Sequence, residues 1–78
     1  MSNLRSVELD WDVSKKMVFV YFYFDNDISD VDMESARRVA QATSTAFDKE
    51  TKILESCIRL NFPARIPAHQ LCVYQRRE

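Results

Sequence analysis

Met17-Val18-Phe19-Val20-Tyr21-Phe22-Tyr23-Phe24 is the stretch that decides the fold. Every residue after Met17 is β-branched or aromatic, which predicts a strand. The run lacks polar alternation, so the strand belongs inside a sheet with both faces at least partly covered. Alternation of side chains puts Val18, Val20, Phe22 and Phe24 on one face and Met17, Phe19, Tyr21 and Tyr23 on the other. Upstream, Val7, Leu9, Trp11 and Val13 alternate with Glu8, Asp10 and Asp12. That period of two predicts a strand with one buried and one wet face. Ser14-Lys15-Lys16 is a short polar break, so these two strands form a hairpin.

Downstream, Asp25-Asn26-Asp27 ends the apolar run. Ser29 and Asp30 are both N-cap candidates, and Asp32 and Glu34 suit the positive end of a helix. Ala36, Val39, Ala40, Thr43, Ala46 and Phe47 recur at helical spacing, which predicts a helix over about 30–48 with one alanine-rich stripe. Ile53–Phe62 reads as a third strand, with Leu54, Ile58, Leu60 and Phe62 on one face. Pro63 to Pro67 is a loop, because two prolines in five residues cannot sustain a ladder. Gln70–Gln75 is the fourth strand. If the last two strands pair about that loop, Cys57 faces Cys72 and Leu60 faces His69. The expected fold is a single α+β domain of order β-β-α-β-β. It is a mainly antiparallel four-stranded sheet with one helix packed on one face.

One helix covers one face. Both faces of β2 carry large residues, so the face opposite the helix exposes an aromatic patch of the kind that marks a partner site. Either a second copy or another protein meets it there. The competing expectation is that the N-terminal segment or the Pro63–Pro67 loop folds over it.

Composition narrows the chemistry. The chain has 78 residues and no glycine. A chain this short buries only about 60% of its unfolded surface, which leaves little room for a deep cleft. Without glycine there is no phosphate-cradling loop, dinucleotide fingerprint or glycine-built oxyanion turn. Two cysteines do not make a disulfide scaffold. Met1–Ser6 has no apolar core of signal type. The longest apolar run has eight residues, where a membrane helix needs about twenty. A cytoplasmic protein with free thiols and no membrane contact is expected.

His69 and Cys72 supply half a metal site; Cys57 is the one further thiol and a fourth ligand is missing. No metal or cofactor is expected. A Cys–His nucleophile pair would need an orienting group, and no residue is legible in that role. The acids from Asp25 to Glu34 lack the glycine and terminal glutamate of a calcium loop. The chain reads as a binding protein, not an enzyme.

Net charge is −1, but it is unevenly spread. Residues 1–34 carry three basic and eight acidic groups, net −5; residues 35–78 carry eight basic and four acidic groups, net +4. Asp25, Asp27, Asp30, Asp32 and Glu34 form an acidic stretch that attracts basic surfaces. Arg37, Arg38, Arg59, Arg65, Arg76 and Arg77 could contact phosphates. The alternative reading is therefore a small homodimeric nucleic-acid-binding domain. A pI near 5.8 disfavours nucleic acid as a partner.

A small glycine-free chain with an aromatic sheet face, an acidic loop and the ending Leu71-Cys-Val-Tyr-Gln-Arg-Arg-Glu78 resembles the bacterial immunity proteins of bacteriocin and contact-dependent growth inhibition systems. The resemblance implies a cognate protein toxin as partner, with a nuclease as its activity. It implies that Asp25, Asp27, Asp30, Asp32 and Glu34 dock on toxin Lys and Arg. Tyr21, Tyr23 and Tyr74 would then supply aromatic anchors. With net charge −1, either the basic half faces away from such a toxin or the toxin is not a nuclease.

Overall fold

A computed structural model describes residues 1–78. The elements are β1 (Leu4–Asp12), β2 (Met17–Phe24), α1 (Asp30–Ser44), β3 (Lys52–Arg59) and β4 (Leu71–Gln75). They make one four-stranded sheet in the order β3-β2-β1-β4. β1 is antiparallel to both β2 and β4, while β2 and β3 run parallel. The fold is thus α+β with the expected element order. Parallel neighbours need a crossover connection, and α1 is that crossover.

Local chemistry shapes each junction. In the β1–β2 turn, Asp12 Oδ1 accepts hydrogen bonds from Ser14 Oγ (2.7 Å) and from the Lys15 amide (3.1 Å). Lys16 closes the turn at φ 53°, a left-handed position that glycine would normally take. At the start of α1, Ser29 is the cap: its Oγ accepts from the Asp32 amide (3.0 Å), and the Ser29 amide donates back to Asp32 Oδ2 (3.3 Å). The helix ends at Ser44, four residues short of the expected stop. The hydroxyls of Thr43, Ser44 and Thr45 donate to carbonyls at Val39, Gln41 and Ala42. Such back-bonding competes with helix continuation, and the amides of Ala46 and Phe47 turn to tighter three-residue bonds.

The core lies between the sheet and α1. It comprises Leu4, Val7, Leu9, Val18, Val20, Phe22, Phe24 and Ala36, with Ile28, Ile53 and Cys57 packed against it. The face of β2 expected to carry Val18, Val20, Phe22 and Phe24 is indeed the helix side. Ala36 and Ala40 are the buried helix residues; small side chains let the helix axis approach the strands.

Three sequence expectations change. The third strand stops at Arg59, short of Phe62, and the fourth begins at Leu71 rather than Gln70. The last two strands do not pair: β3 and β4 are the two opposite edges of the sheet, so Cys57 does not face Cys72 and Leu60 does not face His69. Parallel pairing with β2 uses the inner edge of β3, and the chain then crosses the sheet before β4 forms on β1. Finally, β1 has no wet face along its first half. Ser6 and Glu8 are buried together with Arg5, because β1 lies between β2 and β4 and the β3–β4 connection passes nearby.

Candidate functional site

Strand direction gathers the acidic stretch at one end of the sheet. β2, β3 and β4 all finish at that end, and β1 begins there. Asp25 is half-buried and accepts from the Phe62 amide (3.1 Å) and from Arg76 (3.2 Å). The Arg76 hydrogen bond holds its carboxyl below the usual carboxylate range. Asp27 is 92% exposed and pairs with Arg59 at 2.7 Å. Asp32 belongs to the helix cap, and Glu34 pairs with Arg38 one turn on. Asp30, in the first turn, is exposed.

The two charge halves therefore interleave. Arg76 and Arg59, from the basic half, sit on Asp25 and Asp27 of the acidic half. The basic half does not as a whole face away from the acidic stretch. The exposed Arg59–Asp27 pair holds about 0–1 kcal/mol, so a partner's cation can replace Arg59 at small cost.

The tyrosines divide between the two faces. Tyr21 and Tyr23 lie on the face opposite the helix. Tyr74 is opposite Val7, a core residue, so it lies on the helix side, 46% exposed on edge strand β4. His69 sits on the other two. Its ring stacks on Tyr21 at 4.5 Å. Its Nε2 is 2.7 Å from the Tyr23 hydroxyl and its Nδ1 is 2.8 Å from Asp10 Oδ2. In the neutral ring Nδ1–H donates to Asp10, which can only accept, and Nε2 accepts from Tyr23. Asp10 also accepts from the Gln70 amide (2.8 Å); the His69 bond and then this one hold its carboxyl low. The end of the β3–β4 connection thus covers part of the aromatic face. Phe19, Met17 and Ile58 remain half-buried and Leu54 exposed.

Asp10 is the orienting group for His69 that the sequence did not disclose. It does not create a nucleophile. Both ring nitrogens are engaged, and Tyr23 is buried, with its phenol pushed up by that burial. Cys72 is raised by its hydrogen bond with Glu8, and Cys57 by burial, so both stay protonated thiols at neutral pH. No group of three or more His, Cys, Asp or Glu side chains converges as a metal cage would require. No helix is long and apolar enough to cross a membrane.

A cavity of about 230 Å³ opens at the hairpin end, lined by Trp11, Val13, Met17, Val18 and Phe47. Its carboxylates are committed to turns. Asp12 holds the hairpin, and Asp48 accepts from the Glu50 amide and the Thr51 hydroxyl. The cavity lies at the opposite end of the sheet from the acidic stretch.

These features define a class: a small α+β binding protein that offers its chemistry on a surface rather than in an interior cleft. Within that class, the family model described as MafI2 immunity protein matches residues 1–78, and the chain belongs to that family. It is a small bacterial immunity protein of a toxin system, and the family implies a cognate toxin as its partner and neutralisation of that toxin as its role. No curated protein and no solved structure matches the chain.

Proposed function

We propose that this immunity protein neutralises its toxin by presenting the acidic end of the sheet to a basic active site, that of a nuclease. The full-length family match carries the immunity function. The grouping of Asp25, Asp27, Asp30, Asp32 and Glu34 at one end of the sheet supports the docking mode. Asp27, Asp30 and Glu34 are exposed and meet toxin Lys and Arg first. Asp25 and Asp32 lie behind them, tied to Arg76 and to the helix cap. Tyr74, exposed near the same end, is the aromatic anchor. Tyr21, half-buried, is reached through the partly covered face, and Tyr23 lies behind it under His69. Carboxylates give fast capture and a buried aromatic slows release. A nuclease acts on the cell's nucleic acid, so in this reading the encounter is cytoplasmic.

The test is co-expression with the cognate toxin domain, followed by binding kinetics of the purified pair. The native chain is expected to rescue growth. Asp27→Lys with Asp30→Lys is expected to weaken binding at least tenfold, mostly through the association rate, while the circular dichroism spectrum stays native. Unchanged affinity in that variant would overturn the docking mode and leave the immunity function standing. No rescue by the native chain would overturn both.

A further inference from the structure

The two edges of the sheet differ. On β4, Tyr74 is opposite Val7 and Cys72 opposite Glu8, which leaves Val73 as an extra residue in the ladder. A bulge of this kind twists an edge away from further pairing. β3 runs beside β2 without a break over all 8 of its residues, and no strand lies on its outer side. The Lys52 amide donates to the Lys16 carbonyl (2.9 Å) and the Leu60 amide to the Phe24 carbonyl (2.8 Å). Backbone groups alternate in direction along a strand. Ile53, Glu55, Cys57 and Arg59 therefore turn their N–H and C=O groups outward, as a template for another strand.

The side chains along that edge carry a pattern. Glu55 is exposed and reaches Arg37 at 3.9 Å, beyond hydrogen-bond length. Arg59 lies on the same face and pairs with the exposed Asp27. On the opposite face Leu54 is 40% exposed, next to Phe19 of β2. A groove of about 360 Å³ runs between α1 and β3, lined by Arg37, Gln41, Ser44, Ile53 and Glu55. It leaves room for side chains entering beside the edge. Residues directly opposite in an antiparallel ladder share a face and interact. If β3 meets its own reverse, a two-fold axis through Glu55 sets Glu55 on itself. An axis through Ser56 sets Glu55 on Cys57 and Arg59 on Ile53. An axis through Cys57 sets each Glu55 on the other copy's Arg59, and on the other face each Leu54 on the other copy's Leu60.

We propose that β3 is the interface of a homodimer, in which two copies pair this strand antiparallel about a two-fold axis through Cys57. The occupant follows from charge. Glu55 and Arg59 are opposite in sign, share a face and are evenly placed about Cys57, so the edge is self-complementary in the way an isologous interface requires. Charge meets charge on one face and leucine meets leucine on the other. Arg59 exchanges one exposed partner, Asp27, for another, at little cost. The dimer does not depend on how the toxin docks.

The test is sedimentation equilibrium of the full chain, under reducing conditions, from micromolar to millimolar concentration. The native chain is expected to dimerise within that range. Glu55→Arg alone and Arg59→Glu alone each set like charges opposite one another twice, and each should weaken the dimer about tenfold. Mixed in equal amounts, the two variants should regain native association, because the arginines of one then face the glutamates of the other. A native chain that stays monomeric at millimolar concentration would overturn the proposal. So would single variants that associate like the native chain, or a mixture no better than its components. Should either charge reversal fail to fold, Glu55→Gln and Arg59→Gln are read against the native chain, and unchanged association overturns the proposal. A monomeric chain whose β3 amides gain protection from hydrogen exchange only when toxin is added would give the edge to the toxin and overturn the dimer.

Discussion

Arg5 shows how single residues hold this small protein. Its guanidinium is buried and donates to both oxygens of Glu78 and, at 2.7 Å, to the Leu60 carbonyl. The Phe62 ring lies 5.8 Å away. The Arg5 hydrogen bond, with help from Arg76, lowers the Glu78 carboxyl from 4.5 to about 2. A carboxyl lowered in the folded state adds stability that is fully present above its unfolded value and is lost as pH falls through the folded one. The urea midpoint is therefore expected to hold steady above about 4.5 and to fall from there toward pH 2. Glu78→Gln is expected to lower the midpoint at neutral pH and to flatten that acid limb. A variant curve parallel to the native one would refute the assignment. Lys16 offers a second residue-scale test. A left-handed non-glycine residue costs roughly 1–2 kcal/mol, and glycine loses roughly 0.5–1 kcal/mol more chain entropy. Lys16→Gly should raise stability by about 0.5 kcal/mol in urea unfolding, despite loss of the exposed pair with Glu50. Neither site was legible from the sequence as a contact: Arg5 and Glu78 are 73 positions apart.

At the scale of elements, α1 and β4 contrast. α1 packs through Ala36 and Ala40, both buried, Ala36 against the aromatic core. Ala36→Leu has no space to occupy and should cost about 1–3 kcal/mol through overpacking. Denaturant unfolding with an unchanged slope would read that loss, and a neutral result would mean the helix is not held by close approach. The helix and its cap were readable, since Ser29 and Asp32 act within one turn. Its end was not, because three consecutive hydroxyl residues redirect the last carbonyls. The pairing of β3 is open in the sequence for a different reason. Pairing with β4 about the Pro63–Pro67 loop is one arrangement, whereas a strand reached through a helix can return beside β2 in parallel. The β2–α1–β3 order already contained that signal.

For the whole molecule, the uneven charge along the chain is undone by folding. Arg59 and Arg76 cross from one half to cover Asp27 and Asp25. If the acidic end captures a basic toxin, removing a competing cation should help. Arg59→Ala is expected to leave stability within about 1 kcal/mol, as an exposed pair implies. It should also speed toxin association at low salt. A slower association measured by stopped flow would count against capture by carboxylates. The acidic candidates stood out in the sequence as a cluster, but their partners did not. Three tyrosines are anchor candidates in the sequence, and the register of β4 separates Tyr74 from Tyr21 and Tyr23.

By itself the sequence determined the elements, their order and the buried face of β2. Those follow from periodicity, capping and turn chemistry acting over a few residues. The tertiary structure alone decided the place of β4 beside β1, the split of the cysteines to opposite edges and the seating of His69 on Tyr21, Tyr23 and Asp10. Each of these depends on the path taken by the connection between β3 and β4. That path is chosen by contacts between residues dozens of positions apart, which no local pattern encodes.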